Sequence, residues 1–163
     1  MIIWLVGISG AGKSTLGKLL LKNFIDKGKL CIMIDGDDFR LFFDNDLGYS
    51  VNDRMENIKR IIAAAKAASD TGAVVIVCNI SPFEELRKFC RSKLPNYREV
   101  FLDKAIDLAS KNDVKKIYEN SAKEDLVGIG IKFERPSSPD LIINVDKYSI
   151  DESVKKITDF LNV

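Results

Sequence analysis

The sequence predicts an α/β fold, a parallel five-stranded sheet flanked by helices. Short apolar runs rich in Val, Ile and Leu alternate with longer segments of helical period, the pattern of crossover helices around a mostly parallel sheet. Each run is nearly continuous in apolar character rather than alternating, as expected of strands covered on both faces. A length of 163 residues fits one such unit, read here as a single domain over 1–163.

The elements follow in order. Ile2 to Val6 is the first strand and ends at once in a glycine-rich turn; Lys13 to Lys27 then takes up helical period. Leu30 to Ile34 is the second strand. Asp53 to Thr71 is the second helix, with Ile58, Ile61, Ile62 and Ala65 on one inward face. Its start, Asp53 followed three residues later by Glu56, reads as a capping box with an acidic N-cap. Ala73 to Cys78, Glu99 to Leu102 and Leu141 to Val145 complete the sheet. Pro82 to Ser92, Ala105 to Lys111 and Asp151 to Asn162 complete the helices, the last turning Val154, Ile157 and Leu161 inward. One stretch stands apart: residues 112–139 are mostly polar, contain Gly128 and Gly130, and end in Pro136-Ser137-Ser138-Pro139. A long irregular segment in a compact domain reads as a lid or binding loop.

Composition excludes several classes of function. Twenty-five basic against 24 acidic residues leave a net charge of +1, so neither a nucleic acid nor a membrane surface is expected as a partner. No apolar run approaches the ~20 residues that cross a bilayer, and the start is unlike a signal peptide, which makes the cytoplasm the expected location. Cys31, Cys78 and Cys90 show neither disulfide nor zinc spacing and read as small buried side chains. Histidine is absent. Acid–base chemistry must therefore fall to a carboxylate, lysine or tyrosine.

The segment Gly7-Ile8-Ser9-Gly10-Ala11-Gly12-Lys13-Ser14 fits the pattern G-x-x-x-x-G-K-[ST], and Thr15 follows it. It lies between a strand and an amphipathic helix, where backbone N–H groups and the helix N-terminus point at phosphate oxygens. This context predicts the P-loop nucleoside triphosphate hydrolase fold, with Gly7, Ser9, Gly10, Ala11, Gly12, Lys13, Ser14 and Thr15 holding ATP. Lys13 would reach the β- and γ-phosphates and the Ser14 hydroxyl would ligate Mg²⁺. The second strand runs into Asp35-Gly36-Asp37-Asp38-Phe39-Arg40, at the sheet edge where ligands bind in open α/β folds. Asp37 could orient or deprotonate an attacking hydroxyl, or ligate Mg²⁺, and Arg40 could pair with an anionic acceptor. Arg54 and Asn57, read in the first turn of the second helix, share an edge and can reach one ligand together. The backbone of Asn79-Ile80-Ser81-Pro82 could line an acceptor pocket.

Taken together, these residues resemble the adenylylsulfate kinases, which transfer the γ-phosphate of ATP to the 3′-hydroxyl of adenosine 5′-phosphosulfate. The resemblance spans most of the chain. It rests on Gly7 to Thr15, Asp35-Gly36-Asp37-x-x-Arg40, Leu47-Gly48-Tyr49-Ser50, Asp53-Arg54-x-Glu56-Asn57-Ile58, Ile80-Ser81-Pro82 and Glu99-Val100-Phe101-Leu102-Asp103. It implies a homodimeric kinase using ATP and Mg²⁺ on a small-molecule nucleotide acceptor. Asp35, Arg40, Arg54 and Asn57 would bind that acceptor, Asp37 would be the base, Ile80 and Ser81 the pocket wall, and Lys115 a contact near the phosphosulfate. Tyr49 would be one of two aromatic rings around the acceptor's adenine. The other ring is replaced by Leu126 in Leu126-Val127-Gly128-Ile129, Asn112 stands where the family has arginine, and Glu119 to Asp125 replaces a basic stretch. Losing one stacking ring costs about 0.5–1.5 kcal/mol. A smaller base would tolerate the change, so a cytidine diphosphoramidate acceptor, used in capsule phosphoramidate assembly, is an alternative. A P-loop NTPase switch acting on a protein partner and a non-catalytic nucleotide-binding module are readings of another class.

Overall fold

The computed structural model describes residues 1–105, 127 and 131–163. Its elements are β1 (Ile2–Val6), α1 (Lys13–Asp26), β2 (Cys31–Asp35), α2 (Gly36–Phe42), α3 (Val51–Asp70), β3 (Val74–Cys78), α4 (Glu84–Lys93), β4 (Tyr97–Asp103), β5 (Leu141–Asn144) and α5 (Ile150–Leu161). The five strands form one parallel sheet in the order β2-β3-β1-β4-β5. Every strand therefore ends on the same edge, with the turn after Val6 at its centre. Loops after β2 and β3 lie to one side of that turn, and loops after β4 and β5 to the other.

Side chains alternate along each strand, so β1 serves two cores. Ile3 and Leu5 pack with Leu16, Leu20 and Phe24 of α1 and Ile157 of α5. Ile2, Trp4 and Val6 pack with Ile58, Ile61, Ile62 and Ala65 of α3 and Leu86 and Cys90 of α4. The expected α3 stripe is this second core. Burying each such aliphatic side chain contributes about 1.5–3 kcal/mol.

Several boundaries differ from expectation for local reasons. Helix α3 starts at Val51, because Ser50 is its N-cap and Asp53 at the third position completes the capping box. The Ser50 hydroxyl accepts from the Asp53 amide, and Asp53 Oδ2 accepts from the Ser50 amide. Arg54 and Asn57 consequently stand beyond the first turn and face inward. Helix α2 was not expected at all. It is only seven residues long, and Asp35 caps it by accepting from the Asp37 amide at 3.0 Å. Helix α4 begins two residues later than expected, since Pro82 belongs to a tight turn in which Ser81 has a left-handed φ of 46°. Its first amide is capped by the Glu134 carboxylate rather than by a neighbour in sequence.

The expected helix from Ala105 to Lys111 falls, beyond its first residue, outside the described residues. So do residues 112–126 and 128–130 of the expected lid, including Asn112, Lys115, Leu126, Gly128 and Gly130. The chain from Ile131 onward returns across the end of β4. Phe133 stacks on Phe101 with ring centroids 5.9 Å apart, and Arg135 makes a two-bond ion pair with Asp103.

Candidate active site

The phosphate loop connects β1 to α1, and its glycines serve different ends. A Cβ at Gly7 would lie 2.8 Å from the Leu102 carbonyl oxygen, so this position is glycine because the loop presses against β4. A Cβ at Gly12 would meet nothing within 4 Å; what this residue supplies is a φ of 84°, at the N-cap of α1. The Lys13 ammonium folds back over the loop, donating to the carbonyls of Gly7 at 2.9 Å and Ile8 at 2.8 Å. A lysine held there lies over the loop that would receive the phosphates.

A cavity of about 270 Å³ opens beside the loop, at the ends of β2 and β3. The phosphate-loop residues Ser9, Gly10, Gly12, Lys13, Ser14 and Thr15 form one side. Asp35, Asp37, Arg40, Tyr49, Arg54, Asn57 and Ile80 form the rest, joined by Gly36, Ile58, Cys78, Asn79 and Pro82. Most sequence-predicted site residues thus meet in one space. Gly7 and Ala11 support the loop without lining this cavity, and Lys115 and Leu126 lie outside the described residues. Ser81 is fully buried and does not line it either. Its hydroxyl accepts from the Trp4 indole at 3.0 Å and donates to Asn79 Oδ1 at 3.0 Å. Ile80 supplies the wall in its place.

Two carboxylates stand at the mouth. The Ser14 hydroxyl donates to Asp35 Oδ2 at 2.5 Å, so the carboxylate beside Ser14 is Asp35, which the sequence reading had placed with the acceptor. Asp37, the second residue of α2, is exposed. A hydroxyl and a carboxylate side by side are the hard oxygen donors Mg²⁺ takes. Among the described residues no cluster of three or more His, Cys, Asp or Glu exists.

The same cavity is also lined by two buried guanidinium groups. Arg40 is buried and donates through Nη1 to the carbonyls of Leu47 at 3.1 Å and Gly48 at 2.7 Å. Arg54, also buried, donates through Nε to the Tyr49 carbonyl at 2.9 Å. The half-exposed Tyr49 ring lies over both guanidinium groups, 4.7 and 5.4 Å from its centroid. Asn57 is 2% exposed, and among the described residues its Oδ1 has no hydrogen-bond partner. A buried acceptor without a donor is costly, and a ligand N–H or O–H in the cavity would satisfy it.

Sequence reasoning missed two features. Ile58 and Cys78 were read as core, because apolar period does not show which core residue also borders a cavity; the Cys78 thiol donates to the Lys13 carbonyl at 3.3 Å. The other two cysteines are buried as expected. Burial pushes the Cys31 thiol up to about 11, and Cys90 is raised by the same cause. The larger omission is a second cavity of about 170 Å³ across the phosphate loop, at the ends of β4 and β5. It is lined by Gly10, Ala11, Gly12 and Leu16 and by Lys104, Val145, Tyr148, Ile150 and Ser153. No contiguous motif marks it as a whole, since its residues come from the phosphate loop, α1, the ends of β4 and β5 and the start of α5.

Comparison with known proteins points to one family. The family model described as adenylylsulphate kinase matches residues 1–144. An adenylyl-sulfate kinase of Bacteroides thetaiotaomicron is 34% identical over 166 residues, covering 99% of this chain and 83% of its own length. One from Pseudomonas aeruginosa is 37% identical over 165 residues, covering 98% and 84%. Among solved structures, the APS kinase of Mycobacterium tuberculosis in complex with AMPPNP and APS superposes with a TM-score of 0.92 at 32% identity, over 99% of this chain and 97% of that one.

Proposed function

The chain belongs to the adenylylsulphate kinase family, and from that premise we propose that it transfers the γ-phosphate of ATP to the 3′-hydroxyl of adenosine 5′-phosphosulfate. The observation that carries this is the pairing in one cavity of a phosphate loop with a second, buried polar group, Arg40, Arg54 and Asn57, whose Oδ1 has no hydrogen-bond partner among the described residues. A nucleotide switch needs the first and has no use for the second.

Binding divides the work between the two cavities. ATP lays its phosphates along residues 7–15 and its base toward Lys104, Val145 and Tyr148 in the second cavity. The acceptor occupies the first, its anionic group against Arg40 and Arg54 and its base between Tyr49 and the Ile80 wall. Asn57 Oδ1 accepts from a hydroxyl or amino group of the acceptor. The two substrates then meet above the phosphate loop with the 3′-hydroxyl facing the γ-phosphorus.

Transfer follows from positioning and charge. Lys13 exchanges the Gly7 and Ile8 carbonyls for β- and γ-phosphate oxygens, following charge as it develops. Asp37 aligns the 3′-hydroxyl and receives its proton while the bond between the γ-phosphorus and the bridging oxygen breaks. Ser14 and Asp35 would hold Mg²⁺, which neutralises phosphate charge when bound. The protein would act as one unit over 1–163, in the cytoplasm and as a homodimer. Light scattering at the mass of one chain would refute the dimer.

The test is ADP formation with and without the acceptor. A kinase of this kind forms ADP in proportion to acceptor and yields a 3′-phosphorylated product. Acceptor-independent ADP release would identify an NTPase instead.

A further inference from the structure

The wall formed by residues 79–82 is held from behind by a residue that never reaches the cavity. Arg87, on α4, is 2% exposed, and Nη1 donates to the Ser81 carbonyl at 2.7 Å. Nη2 donates to Glu84 Oε2 at 2.6 Å and to the Glu134 carbonyl at 2.7 Å. Nε lies 3.7 Å from Glu99 Oε1 without a hydrogen bond. The guanidinium thus ties together α4, β4, the turn after β3 and the chain returning at residue 134.

Ser81 needs that hold. Its φ of 46° is one that a residue with a Cβ adopts only when its surroundings impose it. Every polar group of Ser81 is engaged: the amide by Asn79 Oδ1 at 2.9 Å, the hydroxyl by Trp4 and Asn79, the carbonyl by Arg87. The Pro82 carbonyl accepts from the Glu134 amide at 2.9 Å, clamping the same turn from outside. Ile80, Asn79 and Pro82, which these bonds orient, are the residues that line the first cavity.

Burying a guanidinium between carboxylates is weak as a device for stability alone, because desolvation offsets much of the attraction. A directional role explains the charge better. We propose that Arg87 is a positioning residue for the acceptor: through the Ser81 carbonyl it fixes residues 79–82 in the conformation that shapes the acceptor pocket, while the phosphate loop is independent of it. The inference rests on the kinase reading above.

Steady-state kinetics of Arg87→Lys, Arg87→Met and Trp4→Phe test it beside the wild type, each checked for folding by circular dichroism. Lysine keeps the charge but cannot bridge Ser81, Glu84 and Glu134 at once; methionine keeps the bulk; phenylalanine at position 4 removes the indole donor to Ser81. The expected result is an acceptor KM raised about ten- to a hundredfold, as for a misplaced binding wall, with the KM for ATP unchanged. Unchanged acceptor KM in a folded Arg87→Lys, or equal rises for both substrates, overturns the proposal. A wild type inactive on the acceptor would overturn the functional reading instead. Hydrogen exchange on the wild type reports without any substitution: the acceptor alone should slow amide exchange at Ile80, Ser81 and Glu134, and equal slowing by an ATP analogue contradicts the assignment.

Discussion

Lys13 and Asp37 carry the chemistry in this account, and their losses should look different. Lys13→Ala removes a positive charge aimed at the transferring phosphate, so turnover should fall by at least about a hundredfold in an initial-rate assay. Asp37→Asn keeps the shape of an exposed side chain at the cavity mouth and removes the proton acceptor. Its kcat should fall about 10²- to 10⁴-fold with ATP affinity unchanged, as titration of a fluorescent ATP analogue would show. Equal losses of turnover and ATP binding would return Asp37 to a role in holding the nucleotide. These two residues were legible because each sits in a short pattern beside a strand end. The division between Asp35 and Asp37 was not: only the folded chain shows that Asp35 meets Ser14 while also capping α2.

At the scale of elements, the strands were readable because continuous apolar runs leave little choice, and the helix starts were less so. Ser50 and Asp53 are both good N-caps, and the sequence alone does not say which wins. The reciprocal Ser50–Asp53 bonds decide it, and Ser50→Ala should cost about 1 kcal/mol in urea unfolding, with no change in chemistry. Helix α4 carries a pH signature. The Glu84 carboxyl is held below its ordinary 4.5, first by the Ser137 hydroxyl and then by Arg87. Because the folded value lies below the unfolded one, its contribution is present above about pH 4.5 and is lost as the pH falls through the folded value. Glu84→Gln should therefore destabilise more at pH 7 than at pH 3, and equal urea midpoint shifts at both would contradict the assignment. Helix α2 stayed hidden because seven residues with Asp and Gly at the front read as well as a turn.

Across the whole molecule, the order β2-β3-β1-β4-β5 sets a phosphate loop between two cavities, one for each substrate of the proposed transfer. Sequence pattern gave the parallel sheet and the acceptor side, where motifs are contiguous. It gave no sign of the second cavity, assembled from the ends of β4 and β5 and the start of α5. The central claim is that the first cavity receives adenosine 5′-phosphosulfate, although the resemblance sets Leu126, outside the described residues, against an aromatic ring of the family. The measurement that meets it most directly is the initial rate of ATP-dependent phosphorylation of adenosine 5′-phosphosulfate beside cytidine diphosphoramidate, at matched concentrations with Mg²⁺. A clear preference for the first is the result predicted; preference for the second would contradict it and make this an adenylylsulfate-kinase scaffold turned to a pyrimidine acceptor.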